Sequence, residues 1–216
     1  MGAWGRVTEQ FFPVEERKKP IVGLCGAIGA GKSRVAAALG ALGCVVVDSD
    51  RLNHEVLRRP EVLAQLRSWW GPEVVTPDGQ PDRRRIAEIV FSDGREKQRL
   101  ESLVHPLIDA LRADRIRQAV GDPAVPAVVL DSPLLLESQL DRICDSILFV
   151  DASAGVRLAR LRATRGWDAA QMESRERWQL PPEAKRARAD FVIVNEGTEE
   201  ELQSAVAAVL RDVLHR

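Results

Sequence analysis

The residues Gly26-Ala27-Ile28-Gly29-Ala30-Gly31-Lys32-Ser33 fit G-x-x-x-x-G-K-[ST] without a gap. Glycine backbones let N–H groups converge on phosphate oxygens with no Cβ in the way. A helix starting at this point adds its partial positive charge. Lys32 is then placed to reach the β- and γ-phosphates, and the Ser33 hydroxyl to hold Mg²⁺. The backbone of Gly29, Ala30, Gly31, Lys32, Ser33 and Arg34 would line the phosphate cradle. The plainer alternative is a glycine-rich turn with a chance lysine. It does not explain the apolar run Ile21–Cys25 before the loop or the helical pattern after it, with Val35, Leu39 and Leu42 at i, i+4 and i+7. The motif indicates that a nucleoside triphosphate binds, without saying what becomes of it.

Two further groups bear on that question. Asp48-Ser49-Asp50 follows the second apolar run, Cys44–Val47. A kinase acting on a hydroxyl needs a carboxylate there, to orient the oxygen and take its proton. The same residues would also serve as a strand end and a helix N-cap. Arg157, Arg160, Arg162 and Arg165 form the second group, with Arg175, Arg177, Arg186 and Arg188 beyond them. An inward-facing arginine would neutralise charge on a transferring phosphoryl group. The others read as a solvated face. Asp131 ends another apolar run and suits either a water-mediated Mg²⁺ contact or a strand-end cap.

The elements that must position these residues are short β-rich runs separated by helical patterns. Further strands are expected at 127–130, 147–150 and 191–194. A helix is expected from about Ser153 to Ala163, and a last one carries Leu202, Val206, Val209, Leu210 and Val213 on one face. Near-continuous apolar strands bounded by helices imply a parallel sheet covered on both faces, a three-layer α/β fold. Ligands of such sheets bind at the strands' carboxyl ends, so Gly26, Asp48 and Asp131 should face one crevice. Between the second and third core strands lie helical patterns at 51–58, 61–69, 83–91 and 95–119. Gly71-Pro72 and Pro77-Asp78-Gly79 punctuate them with turn chemistry. Pro106 is expected to kink or break the last of these helices.

Composition excludes several classes. The chain has 216 residues, 45% hydrophobic and 29% charged, and a net charge of −1. That is ordinary for one globular domain, or one core with a large insertion. It offers no global positive field to recruit nucleic acid. No apolar run approaches membrane-spanning length. Cys25, Cys44 and Cys144 are odd in number and lack metal-ligand spacing, which points to reduced thiols in a cytoplasmic setting. A switch GTPase would carry D-x-x-G and N-K-x-D, and neither occurs. A motor ATPase or helicase would need more chain and a basic surface. A small-molecule kinase is the better reading of the loop.

Several segments, in order, resemble the dephospho-coenzyme A kinase family. They are Ile21 to Ser33, Val47-Asp48-Ser49-Asp50, Gly71-Pro72-Glu73-Val74 with Asp78-Gly79 and Arg83, and Val90-Phe91-Ser92-Asp93. Leu103-Val104-His105-Pro106-Leu107-Ile108, Asp131-Ser132-Pro133-Leu134-Leu135-Leu136-Glu137 and Ala189 to Gly197 complete the set. The His-Pro and Pro-Leu-Leu-x-Glu segments make the resemblance specific. It implies a P-loop NTPase core with a five-stranded parallel sheet over 20–50 and 126–216. It also implies a helical substrate-binding insertion over 51–125, a lid at about 164–185, and an extension over 1–19 outside the family pattern. The implied activity is transfer of the ATP γ-phosphoryl to the ribose 3′-hydroxyl of dephospho-coenzyme A. The implied partners are these two small molecules and Mg²⁺, with no nucleic acid or membrane, in a monomer or homo-oligomer.

The resemblance also assigns roles. Asp50 matches the family's catalytic aspartate and Arg160 its lid-side arginine, beside Lys32. Asn195 and Gly197 fall where the adenine of ATP is expected. His105, Pro133 and Leu134 fall on the acceptor side. Departures occur at Cys25-Gly26-Ala27, where the family usually has Thr-Gly-Gly, and at Arg34, where it usually has Thr. The lid run Arg165-Gly166-Trp167 and the pair Pro181-Pro182 are also less typical. Of the adjacent Trp69 and Trp70, one is expected to pack and the other to line a path for the pantetheine arm. Trp167 and Trp178 read as lid packing.

Overall fold

The computed structural model describes residues 19–216. Apart from Lys19, the expected extension lies outside the described residues. The β-branched runs form five strands: β1 (Ile21–Gly26), β2 (Val45–Asp48), β3 (Val128–Asp131), β4 (Ser146–Asp151) and β5 (Phe191–Val194). They make one sheet in the order β2-β3-β1-β4-β5, and every pairing is parallel. β1 and β3 are buried at every position, which is why they read as unbroken apolar runs.

The order creates a switch point. β1 and β3 are neighbours, yet the chain leaves β1 toward β2 and leaves β3 toward β4, on opposite sides. A crevice therefore opens outside their carboxyl ends. Asp48 and Asp131 stand side by side in register at that edge, and Leu24 of β1 pairs with Asp131 from the other side.

The sheet is flanked by helices. α1 (Lys32–Ala41) follows the glycine loop and buries Val35, Ala36 and Leu39. α6 (Ala154–Arg165), α7 (Ala169–Glu176), α8 (Pro182–Ala187) and α9 (Glu199–Leu214) follow β4 and β5. α9 starts with a capping box between Thr198 and Glu201 and buries Leu202, Val206, Leu210 and Val213. Val209, expected on that face, is only half-buried. α7 starts with a second capping box, between Asp168 and Gln171. α8 packs on β1 and β4, and α9 packs on α1 and β5.

Among the described residues the chain divides by compactness into two units, one that runs to Asp48 and resumes over 115–216, the other of Ser49–Asp114. The second contains α2 (Ser49–Leu57), α3 (Pro60–Trp70), α4 (Arg83–Ser92) and most of α5 (Gly94–Gly121). The second unit ends within α5, which runs on to Gly121. Pro106 sits within it, and the helix does not break there. A single proline withholds one N–H, from the carbonyl of Ser102, while the turns on either side keep their bonds. The core of the unit is Leu52, Val56, Val62, Leu66, Val74, Ile86, Val104 and Ile108. Pro77-Asp78-Gly79 forms a tight turn closed by a bond from Thr76 N–H to Gln80 O at 2.8 Å.

All three cysteines are free. Burial pushes the Cys25 and Cys44 thiols up to about 11, so both stay protonated near neutral pH.

Candidate active site

The glycine loop is held from behind by its carbonyls. Asn195, at the end of β5 and 2% exposed, donates its side-chain amide to Ala30 O at 2.8 Å. Arg160 Nη1 donates to the same carbonyl at 3.3 Å. Arg157 Nη1 donates to Ile28 O at 3.0 Å. With these carbonyls tied back, the amides at the start of α1 are left to a phosphate. Gly31, the N-cap of α1, has φ 89° and makes no side-chain cap bond. A Cβ at Gly31 would collide with the Asn195 amide, so glycine is required there by space as well as by φ.

Lys32 and Asp131 form an ion pair at the mouth of the crevice. Asp131 is buried, so its carboxylate depends on this compensation. Ser33 is exposed beside Lys32, and Asp48 adjoins Asp131 in the sheet. Hydroxyl and carboxylate oxygens are the donors that Mg²⁺ takes, and it usually keeps waters and phosphate oxygens as further ligands. Among the described residues no group of three or more His, Cys, Asp or Glu could hold a metal by itself. A metal arriving with a triphosphate needs only one or two protein ligands, so Ser33 and Asp131 fit it.

The core thus brings Gly29, Ala30, Gly31, Lys32, Ser33, Asp131, Arg160 and Asn195 together. The Arg34 side chain turns instead to Glu199 in the first turn of α9, so only its backbone belongs to the cradle. Gly197 is exposed just before α9, where a Cβ would run into Glu201. Pro133 and Leu134 follow β3, with Leu134 43% exposed.

Asp50 and His105 belong to the helical unit. Asp50 is exposed in the first turn of α2. His105, Asp109 and Arg112 follow one another at i, i+4 and i+7 on α5, and Asp109 and Arg112 form a buried ion pair. Burial lowers the His105 pKa from its ordinary 6.5 to about 4, and the Arg112 charge adds to the shift. Burial raises the Asp109 carboxyl, and Arg112 opposes it. Trp70 Nε1 donates to Glu96 at 2.6 Å. Trp69 carries the Arg99 guanidinium 4.1 Å above its ring and lines a cleft of about 550 Å³ with Gln65, Arg95 and Ser102.

The dephospho-CoA kinase family model matches residues 20–201, which takes in the loop, the crevice and the helical unit. This chain belongs to the dephospho-CoA kinase family. The dephospho-CoA kinase of Thermobifida fusca is 39% identical over 196 residues, covering 90% of this chain and 96% of its own. That of Anaeromyxobacter dehalogenans is 36% identical over 195 residues, covering 89% and 92%. The crystal structure of TT1252 from Thermus thermophilus superposes with a TM-score of 0.76 at 36% identity, covering 90% of this chain and 97% of that one. A Campylobacter jejuni dephospho-CoA kinase, at 21% identity and a TM-score of 0.66, shares the fold.

Two residues that sequence reasoning did not single out tie this family core together. Arg157 is 7% exposed. Besides Ile28 it bonds Ala152 O at 3.1 Å and forms an ion pair with Glu176 of α7. Lys185, 1% exposed, bonds to Glu137, Gln179 and Pro133 O. Arg157 lies among many arginines, and only its place one turn before Arg160 hints at a loop contact. Nothing in the run around Lys185 distinguishes it from a surface lysine. Just before α7 the Trp167 ring carries the guanidiniums of Arg165 and Arg175, 4.8 and 3.9 Å from its centre, while Trp178 is 84% exposed.

Proposed function

We propose that this chain transfers the γ-phosphoryl of ATP to the ribose 3′-hydroxyl of dephospho-coenzyme A, giving ADP and coenzyme A. The observation that carries this reading is the tied-back glycine loop, with Lys32 paired to Asp131, in a chain of the dephospho-CoA kinase family. In the nucleotide-free state Asp131 compensates the Lys32 charge. An incoming triphosphate offers Lys32 a stronger set of oxygens, and Lys32 moves from the carboxylate to the β- and γ-phosphates. The α1 amides take the remaining phosphate oxygens. Ser33 and Asp131 are the residues that would hold Mg²⁺, which supplies charge neutralisation at the β- and γ-oxygens.

Asp50 orients the 3′-hydroxyl and takes its proton. Arg160, already at the Ala30 carbonyl, is close enough to the loop to offset charge on the transferring group. Asn195, whose side-chain amide also holds the Ala30 carbonyl, and the exposed Gly197 take the adenine of ATP. Pro133, Leu134 and His105 serve the acceptor. Among the described residues no helix is long and apolar enough to cross a membrane.

The test is ADP release from Mg-ATP with and without dephospho-coenzyme A, with the product examined by mass and phosphorus NMR. Acceptor-dependent ADP release with one phosphoryl on the 3′-oxygen is expected. Equal ADP release without acceptor, or transfer to a nucleoside monophosphate instead, would overturn the reading.

A further inference from the structure

A fully buried lysine outside the phosphate cradle needs a reason. Lys185 of α8 is 1% exposed, and its ammonium faces three oxygens. These are Glu137 Oε1 at 3.1 Å, Gln179 Oε1 at 2.9 Å and Pro133 O at 3.3 Å. Glu137 Oε1 also accepts from Leu180 N–H at 2.7 Å. The partners come from two separate segments, the turn after β3 and the connection between α7 and α8. One ammonium therefore fixes both segments at a single point. The pair also lies near enough to Cys25, the residue before the glycine loop, to act on its thiol, with Lys185 favouring and Glu137 opposing the thiolate.

The arrangement is not one that stability alone would select. Glu137 Oε2 is buried without a hydrogen-bond partner among the described residues. A buried ion pair with an orphaned oxygen is matched or exceeded in stability by apolar side chains of similar volume. What apolar side chains would lose is direction. Only a charge with several acceptors fixes the Pro133 carbonyl and the Gln179 side chain in one orientation.

We propose that Lys185 is a positioning residue of the phosphoryl-transfer site. Its buried ammonium locks the Pro133-Leu134 wall to the α7–α8 connection and so sets the grip on the acceptor rather than on ATP. The proposal rests on the acceptor-side reading of Pro133 and Leu134 given above.

The test compares Lys185→Met, Glu137→Gln and the double variant in the full chain, varying ATP and dephospho-coenzyme A separately and recording thermal melting. Lys185→Met should raise the acceptor KM by about tenfold while the ATP KM stays within about twofold. The double variant, which no longer leaves a carboxylate uncompensated, should recover most of the melting temperature while the acceptor KM stays high. The proposal is overturned if both KM values rise together, or if recovery of the melting temperature restores the acceptor KM. Leu134→Ala separates the two levels. An unmoved acceptor KM there removes the acceptor-side reading, and the role of Lys185 with it. A raised acceptor KM in Leu134→Ala beside an unmoved one in Lys185→Met overturns the Lys185 role alone.

Discussion

Asp50 carries the most specific chemical assignment at the scale of single residues. Asp50→Asn keeps the size of the side chain and removes its basicity. The expected result is a fall in kcat of about a hundredfold or more with the ATP KM unchanged, since a positioned base contributes about that much. Near-normal turnover in steady-state assays would remove the assignment. Gly31 makes a steric prediction. Gly31→Ala places a methyl group against the Asn195 amide at φ 89°. It should cost about 2 kcal/mol in urea unfolding for the left-handed backbone alone. Calorimetric titration should show ATP binding weakened beyond that, because the clash displaces the loop. His105 makes a pH prediction. Its folded pKa of about 4 lies below its ordinary 6.5. Between those values the unfolded chain takes up a proton that the folded chain refuses. The contribution of His105 is therefore complete above pH 6.5 and is lost as pH falls toward 4. Asp109, whose carboxyl is raised, works in the opposite sense above its ordinary 3.8. His105→Gln should flatten the stability slope across the His window, and an unchanged slope in urea melts at several pH values would show that another group causes it.

At the scale of elements, the loop depends on α6 and β5 as much as on its own glycines. Arg157 reaches from α6 to the loop at Ile28 and to α7 at Glu176. Arg157→Met should cost about 3 kcal/mol, because it strands a carboxylate and two carbonyls. Glu176→Gln, which leaves a neutral acceptor on a more exposed side chain, should cost about 1 kcal/mol. Equal costs in denaturant unfolding would mean that the loop contact contributes nothing. The two helices with capping boxes, α7 and α9, begin where Asp168 and Thr198 stand three residues before Gln171 and Glu201. Such local signals are visible in a sequence because the bonds span only one turn. Pro106 shows the converse. Its local chemistry predicts a break, and a helix of 28 residues carries it through.

At the scale of the whole molecule, the switch point between β1 and β3 makes the site. Binding of Mg-ATP to the folded chain alone should raise its stability by about 2.7 kcal/mol at a hundredfold excess over Kd. For a chain of this size that is a melting shift of roughly 5 to 10 °C. Removing divalent metal with EDTA at the same ATP concentration should reduce the shift, because the β- and γ-phosphate charge is then left to Lys32 and the α1 amides. An equal shift with and without metal, by scanning fluorimetry, would show that Ser33 and Asp131 hold no ion in the complex.

Much of this protein was determined by sequence alone. The glycine loop, the five apolar strands and the acidic strand ends follow from contiguous residues, whose spacing directly encodes period, φ and charge. The family resemblance followed from the same short segments taken in order. Tertiary structure alone decided that Arg157 joins Arg160 at the loop, because Arg157 and Ile28 are 129 residues apart. It also turned Asn195 onto Ala30, Arg34 away to Glu199, and Lys185 from an apparent surface lysine into a buried hub. These contacts exist only once a parallel sheet has brought the carboxyl ends of distant strands to one edge. A linear pattern records the type of each residue and its neighbours in the chain, whereas a buried charge is defined by the partners that folding brings to it.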